Sequence, residues 1–340
     1  MFARAAVAAA LAVVSAGCSG GGPGSGGTGL EAALARVSDS ANNQSAIYYD
    51  NTAELVSLVG KSLSAEAKGY GELRGNGAPN LVSSMGTLPS DTGINLFDES
   101  YAITAGEPPA SVTLVANGQD GSLVTGKMTK LGWKKGDGGT LAGPPLNTAS
   151  LDTETGLYAI SMRKVQTPNS DVVVGGASAD LSQIGSPSGS TLADNPGIKA
   201  LAGCLGNAVA ATIYGGRTAG IKAAPTEVAV GISQPAKATA APHAVVCVSW
   251  PSQAAADTYE ANVRKVLATG LSLRTEERYS ALLRNATVTN VGGDSHIVEW
   301  QADPSTPETV FQMQVSNDLP ALPSCAKMAQ AQAAQIIGCH

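Results

Sequence analysis

Three histidines, at positions 243, 296 and 340, are the only imidazoles this chain has for acid–base work near neutral pH. Asp294-Ser295-His296 contains the residue types of a hydrolase triad. A triad needs Ser on His and His on the acid from converging directions, which three consecutive turn residues do not supply, so a plain hairpin turn is expected. His296 shares strand parity with Val298 and Trp300, which places it at the edge of a packed face. No G-x-S-x-G elbow is present. The run from Gly69 through Gly71 to Gly75 has its third glycine one residue too late for a dinucleotide turn, and no G-x4-G-K-[ST] phosphate cradle occurs. A polar loop is expected there. Asp98-Glu99 and Glu276-Glu277 are local acid pairs expected at the surface, whereas a glycosidase pair is defined by separation in space. Among the large side chains, Trp133 and Trp250 end a helix and a strand in opposite halves of the chain. They line a cleft if the halves face one another, and otherwise cap separate cores. With no CxxC or His-x3-His spacing, no metal, cofactor or catalytic residue is assigned.

The elements that must position these residues follow from composition and periodicity. The chain has 340 residues, 43% hydrophobic and 14% charged, enough apolar material for a sizeable core. Aromatics are only 4%, so that core rests on Val, Leu, Ile, Ala and Met. A net charge of −6 without a Lys/Arg run argues against nucleic acid as a partner. In the first half, residues 46–49 read as extended, and Asp50 or Asn51 is placed to cap a helix carrying Leu55, Leu58 and Val59, with Gly60 at its end. Strands follow at 101–104 and 111–116. A helix then carries Val124, Met128 and Leu131. Tyr158, Ile160 and Met162 alternate and predict one arm of a hairpin whose other arm is 172–174.

The second half predicts a helix over 195–214, strands at 227–232 and 244–249, and a helix with Tyr259, Val263 and Val266 on one face. A hairpin over 286–302, a short helix over 275–284 and a terminal strand over 311–315 complete it. The fold class expected is α+β, as two related repeats, each a mainly antiparallel sheet with helices on one face. The repeats would cover 30–185 and 186–340, divided by a Ser/Gly/Pro-rich stretch.

Five cysteines are an odd set until Cys18 is set aside, which leaves Cys204, Cys247, Cys325 and Cys339. Of the three possible pairings we favour Cys204–Cys247, stapling a helix to a strand, and Cys325–Cys339, tying the tail to itself.

Residues 1–17 have the form of an export signal. Arg4 precedes an apolar stretch from Ala5 to Val14, too short for the roughly 20 residues that span a bilayer. Ser15-Ala16-Gly17-Cys18 then resembles the lipobox of bacterial lipoproteins, with Ser15 standing where the family usually has Leu. The resemblance implies cleavage before Cys18, lipidation of its thiol and retention at the outer face of the cytoplasmic membrane. Cleavage after Ala16 would instead leave a free thiol on a secreted protein. Residues 18–29 form a Gly/Ser tether. The composition is similar to exported lipoproteins of high-GC Gram-positive bacteria. The function expected is a non-enzymatic module at the cell surface, held to the membrane by its lipid and binding an apolar or glycan ligand or an envelope protein. An envelope hydrolase and an assembly accessory are the alternatives.

Overall fold

The computed structural model describes residues 29–61, 69–145, 153–215 and 225–322. The export signal, Cys18 and the Cys325–Cys339 pair lie outside the described residues. The described chain opens with helices α1 (Leu30–Leu34) and α2 (Ala41–Ser45), strand β1 (Ala46–Asp50), and helices α3 (Thr52–Val59) and α4 (Leu88–Thr92). Strands β2 (Tyr101–Ala105) and β3 (Val112–Ala116) precede α5 (Gly121–Lys130), the short β4 (Lys134–Lys135) and β5 (Leu141–Ala142), α6 (Glu154–Ser161), β6 (Lys164–Gln166) and β7 (Val172–Gly175). Next come α7 (Pro196–Leu205), β8 (Ala208–Gly215), β9 (Glu227–Ser233), β10 (Ala244–Ser249) and α8 (Gln253–Thr269). The described chain closes with α9 (Tyr279–Leu282), β11 (Leu283–Gly292), β12 (Ile297–Pro304) and α10 (Thr309–Val315).

The protein is α+β, but its strands make one sheet rather than two. Among the described residues twelve strands run in the order β11-β12-β10-β9-β8-β1-β2-β3-β7-β6-β5-β4, and every neighbouring pair is antiparallel. The expected halves meet where β1 pairs with β8, from Ala46 opposite Tyr214 to Asp50 opposite Ala210. Exposed Lys134 and Lys135 occupy one edge of the sheet, where charge discourages further pairing.

Helices cover both faces, not one, because most strands are apolar at odd and even positions alike. Ile47, Tyr49, Ile103, Leu114, Ile213 and Val245 pack on one face against Leu34 of α1 and Ile198 and Leu201 of α7. The opposite face carries two separate cores. Around β9, β10 and β12, Val230, Val246 and Trp300 meet Tyr259 and Val263 of α8 and Phe311 of α10. Around β3, β6 and β7, Val115, Val165 and Val174 meet Val124 and Met128 of α5 and Tyr158 of α6. The midline between those cores is polar: Asp50, Thr104 and Thr212 are all buried there.

Local chemistry explains the boundaries. The Asp120 carboxylate accepts from the Ser122 and Leu123 amides to start α5, and Ser252 accepts from Ala255 to start α8. Asn51, not Asp50, caps α3 by accepting from the Glu54 amide. Four predicted elements differ. The helix expected over 195–214 stops at Leu205; Gly206, at φ 61°, ends it, and β8 follows. Residues 154–161 are helical rather than extended, and Met162 caps their end. Tyr158, Ala159 and Met162 are buried at a helical spacing, while Leu157 and Ile160 face solvent. Residues 311–315 are likewise helical, with Val310 and Met313 inward and Val315 outward. The helix expected over 275–284 is shortened to α9.

The predicted disulfide between Cys204 and Cys247 is present and pins α7 to β10 across 6.3 Å between Cα atoms.

Candidate functional site

The site is built on the polar midline. Residues 69–73 form one turn of 3-10 helix, and the chain then lies flat against the centre of the sheet. The Asn76 side-chain amide donates to the carbonyls of Tyr49 (3.0 Å) and Ala211 (3.1 Å), bridging β1 and β8. The Gly77 amide donates to Asp50 Oδ2 at 2.7 Å, and Thr104 Oγ1 donates to the Gly77 carbonyl at 2.7 Å. Position 77 must be glycine, because a Cβ there would stand 2.2 Å from the Ala102 carbonyl oxygen. The run Gly69 to Gly75 is thus no phosphate turn. It is a wall fastened to the sheet.

Facing this wall is α10, and between them lies an open cleft of about 470 Å³. Leu73, Pro79 and Val82 line one side and Phe311 and Val315 the other. Val82 and Val315 are 43% and 82% exposed, so the cleft presents apolar surface to solvent. Glu72, Arg74, Arg274 and Glu308 supply its charges. Arg74 is structural: its Nε and Nη1 donate to the Gly71 and Gly60 carbonyls, and its guanidinium lies 5.1 Å from the Phe97 ring centre. Arg274 is exposed, on a loop held by buried Asp318, whose carboxylate accepts from Ser272 Oγ, the Leu273 amide and Tyr279 Oη. Glu308 keeps a buried Oε2 with no partner among the described residues.

Behind the wall sits a buried acid pair. Thr52 Oγ1 lies 2.5 Å from Asp50 Oδ1 and 2.7 Å from Glu99 Oε1. A hydroxyl has one hydrogen, so both contacts are satisfied only if one carboxyl carries a proton of its own. Burial pushes the Asp50 carboxyl up to about 6, against the pull of Thr52 and the Gly77 and Gly75 amides. Burial, and then the charge of Asp50, hold Glu99 well above the ordinary carboxylate range. The proton therefore belongs on Glu99, which donates to Thr52, which donates to Asp50. Asp98-Glu99 is consequently not a surface pair as expected. Asp98 is exposed and pairs with Lys61, while Glu99 is 3% exposed.

The other predicted positions do not converge. Asp294 and Ser295 occupy the β11–β12 turn, where the Ser295 carbonyl accepts from Ser249 Oγ. His296, at φ 44°, has a buried Nδ1 without a partner among the described residues, and none of their acids orients it as a triad requires. Trp133 and Trp250 do not share a cleft. Trp133 lies in the core around α5, its indole donating to the Met162 carbonyl at 2.9 Å, and Trp250 in the core around α8, 5.0 Å from Tyr259. Glu276 and Glu277 are exposed.

One pairing was missed: His243 Nδ1 meets Asp303 at 3.0 Å, but its Nε2 is taken by Gln301 at 3.1 Å, so no nucleophile is engaged. Strand parity on β12 places Gln301 and Asp303 on one face, but nothing in the sequence aligns His243 with them. Among the described residues no group of three His, Cys, Asp or Glu is placed to hold a metal ion, and no helix is long and apolar enough to cross a membrane. No known protein family, curated relative or solved structure matches the chain.

Proposed function

We propose that this chain is a lipid-anchored binding protein of the outer face of the cytoplasmic membrane, and that the cleft between residues 72–82 and α10 takes a small amphipathic ligand. The observation that carries this reading is the cleft itself. Its volume falls within the range of small-molecule sites, its sides are apolar, and a few polar groups stand at fixed points. An apolar body would cover Val82, Phe311 and Val315, and a ligand hydroxyl or ammonium would satisfy Glu308 Oε2.

We infer further that the halves are repeats of one unit. Counted outward from the midline, the strand order β1-β2-β3-β7-β6 is matched by β8-β9-β10-β12-β11, and α5 and α8 each follow the third strand. The cleft wall then lies on the junction of the repeats, where a duplicated fold has no second copy of its own loop to fill the space.

Binding is tested with N-phenyl-1-naphthylamine, an uncharged probe that fluoresces in apolar sites. Val82→Asp and Val315→Asp alter exposed side chains and leave the cores untouched. Each is expected to weaken the probe by about tenfold, the equivalent of roughly 1.4 kcal/mol. Unchanged affinity in both variants would overturn the cleft as the binding site. Anchoring is tested separately: Cys18→Ala should move the protein from the membrane fraction to the soluble one. A variant that stays with the membrane would refute the lipid.

A further inference from the structure

We propose that Asp50, Thr52 and Glu99 form a buried, proton-dependent latch on the cleft wall, fastening residues 69–77 as the pH falls and loosening them as it rises. The inference rests on the cleft being the ligand site and assigns that site a control.

The latch joins three parts of the chain that the fold brings together. Asp50 ends β1, Thr52 begins α3, and Glu99 lies just before β2. Asp50 holds the wall directly through the Gly77 amide at 2.7 Å, and the Gly75 amide also bonds to it. Gly75 and Asn76 are themselves cleft residues, so a change at Asp50 reaches the ligand site through two residues of backbone.

The direction follows from solvation. With the wall in place both carboxyls are fully buried, and what acts on them is Thr52, the glycine amides and each other. The other titratable groups on the surrounding elements are Tyr48 and Tyr49 on β1, Glu54 on α3, Tyr101 on β2 and Tyr214 on β8. To these the wall adds Tyr70, Glu72 and Arg74, and the exposed Lys61–Asp98 pair lies nearby. None of them acts on Asp50 or Glu99 as a compensating cation. A second negative charge in that space is unfavourable while it stays dry, and lifting the wall admits water to both carboxyls. The open wall thus favours the ionised pair and the closed wall the protonated one. By linkage, added protons favour closure.

Two measurements test this on the whole protein. The first is the dissociation constant of N-phenyl-1-naphthylamine, which stays uncharged, at pH 5 and pH 8. The wild type should bind more tightly at pH 5, by about fivefold or more. Glu99→Gln keeps the donor to Thr52 without the second charge and should raise affinity at pH 8 toward the pH 5 value, at least halving the pH effect, with the remainder set by Asp50. The second is amide exchange at Gly75 and Gly77, corrected for intrinsic pH dependence. Protection should rise on acidification in the wild type and rise by clearly less in Glu99→Gln, where Asp50 alone still titrates.

Equal probe affinity at both pH values, or full pH dependence surviving in Glu99→Gln, would overturn the latch and leave the cleft standing. PH-dependent protection in a protein that never binds the probe would support the latch and overturn the cleft. Flat protection would overturn the latch whatever the probe does.

Discussion

Replacing Cys204 and Cys247 together by alanine is expected to lower the free energy of unfolding by about 4 kcal/mol, read from urea denaturation without reductant. The crosslink closes a loop of 43 residues, and the loss of loop entropy in the unfolded chain sets that magnitude. The cost should be felt chiefly on the face covered by α7. Ile198, Leu201 and Leu205 of that helix pack on the sheet beside Cys247, which is fully buried in β10. The helix is only ten residues long, too short to persist in water unless docked. Reductant should reproduce the loss in the wild type and do nothing further to the double variant. An unchanged denaturation midpoint in the double variant would show that the bond does not form in the protein as made. Disulfides form and persist in oxidising compartments, so the same experiment bears on the proposed export.

How much of this was legible in the sequence depended on whether an element had one wet face. Helix α8 was readable because Tyr259 and Val263 recur on one side while charged residues occupy the other. The β11–β12 hairpin was readable because Val298, Trp300 and Ala302 alternate with Glu299 and Gln301. Strand β8 lacks that contrast: it is buried on both faces, and its Ala-rich sequence carries a helix preference that only Gly206 interrupts. Short segments fail for the complementary reason. Phe311, Met313 and Val315 alternate over five residues, a pattern that one and a half helical turns can mimic. The site was less legible than the fold. Its wall reads as a Gly-rich polar loop, and what makes it a wall is Asn76 reaching two carbonyls that lie 27 and 135 residues away. Glu99 beside Asp98 reads as surface charge. Its burial depends on the midline of a sheet assembled from both halves of the chain, which no local pattern encodes.

The same midline makes Thr52→Val the most damaging of the conservative changes. Valine keeps the volume and removes the one hydroxyl that serves two buried carboxyls, leaving Asp50 Oδ1 and Glu99 Oε1 facing each other without a bridge. The expected loss at pH 7 is roughly 3 kcal/mol or more, the cost of stranding buried polar groups. Glu99→Gln at the same point should cost little, because a neutral amide reproduces the protonated acid. The pH dependence separates this from ordinary packing damage. Asp50 titrates near 3.8 when unfolded and about 6 in the fold, so across that window the native state binds more protons than the unfolded chain. Stability therefore falls as the pH rises from roughly 4 to 6, and Glu99, raised further, extends the fall to higher pH. Wild-type protein should unfold at lower urea at pH 8 than at pH 5, and Glu99→Gln should narrow that gap. If Thr52→Val matches the wild type across the range, the hydroxyl does not bridge the acids and the proton assigned to Glu99 is misplaced.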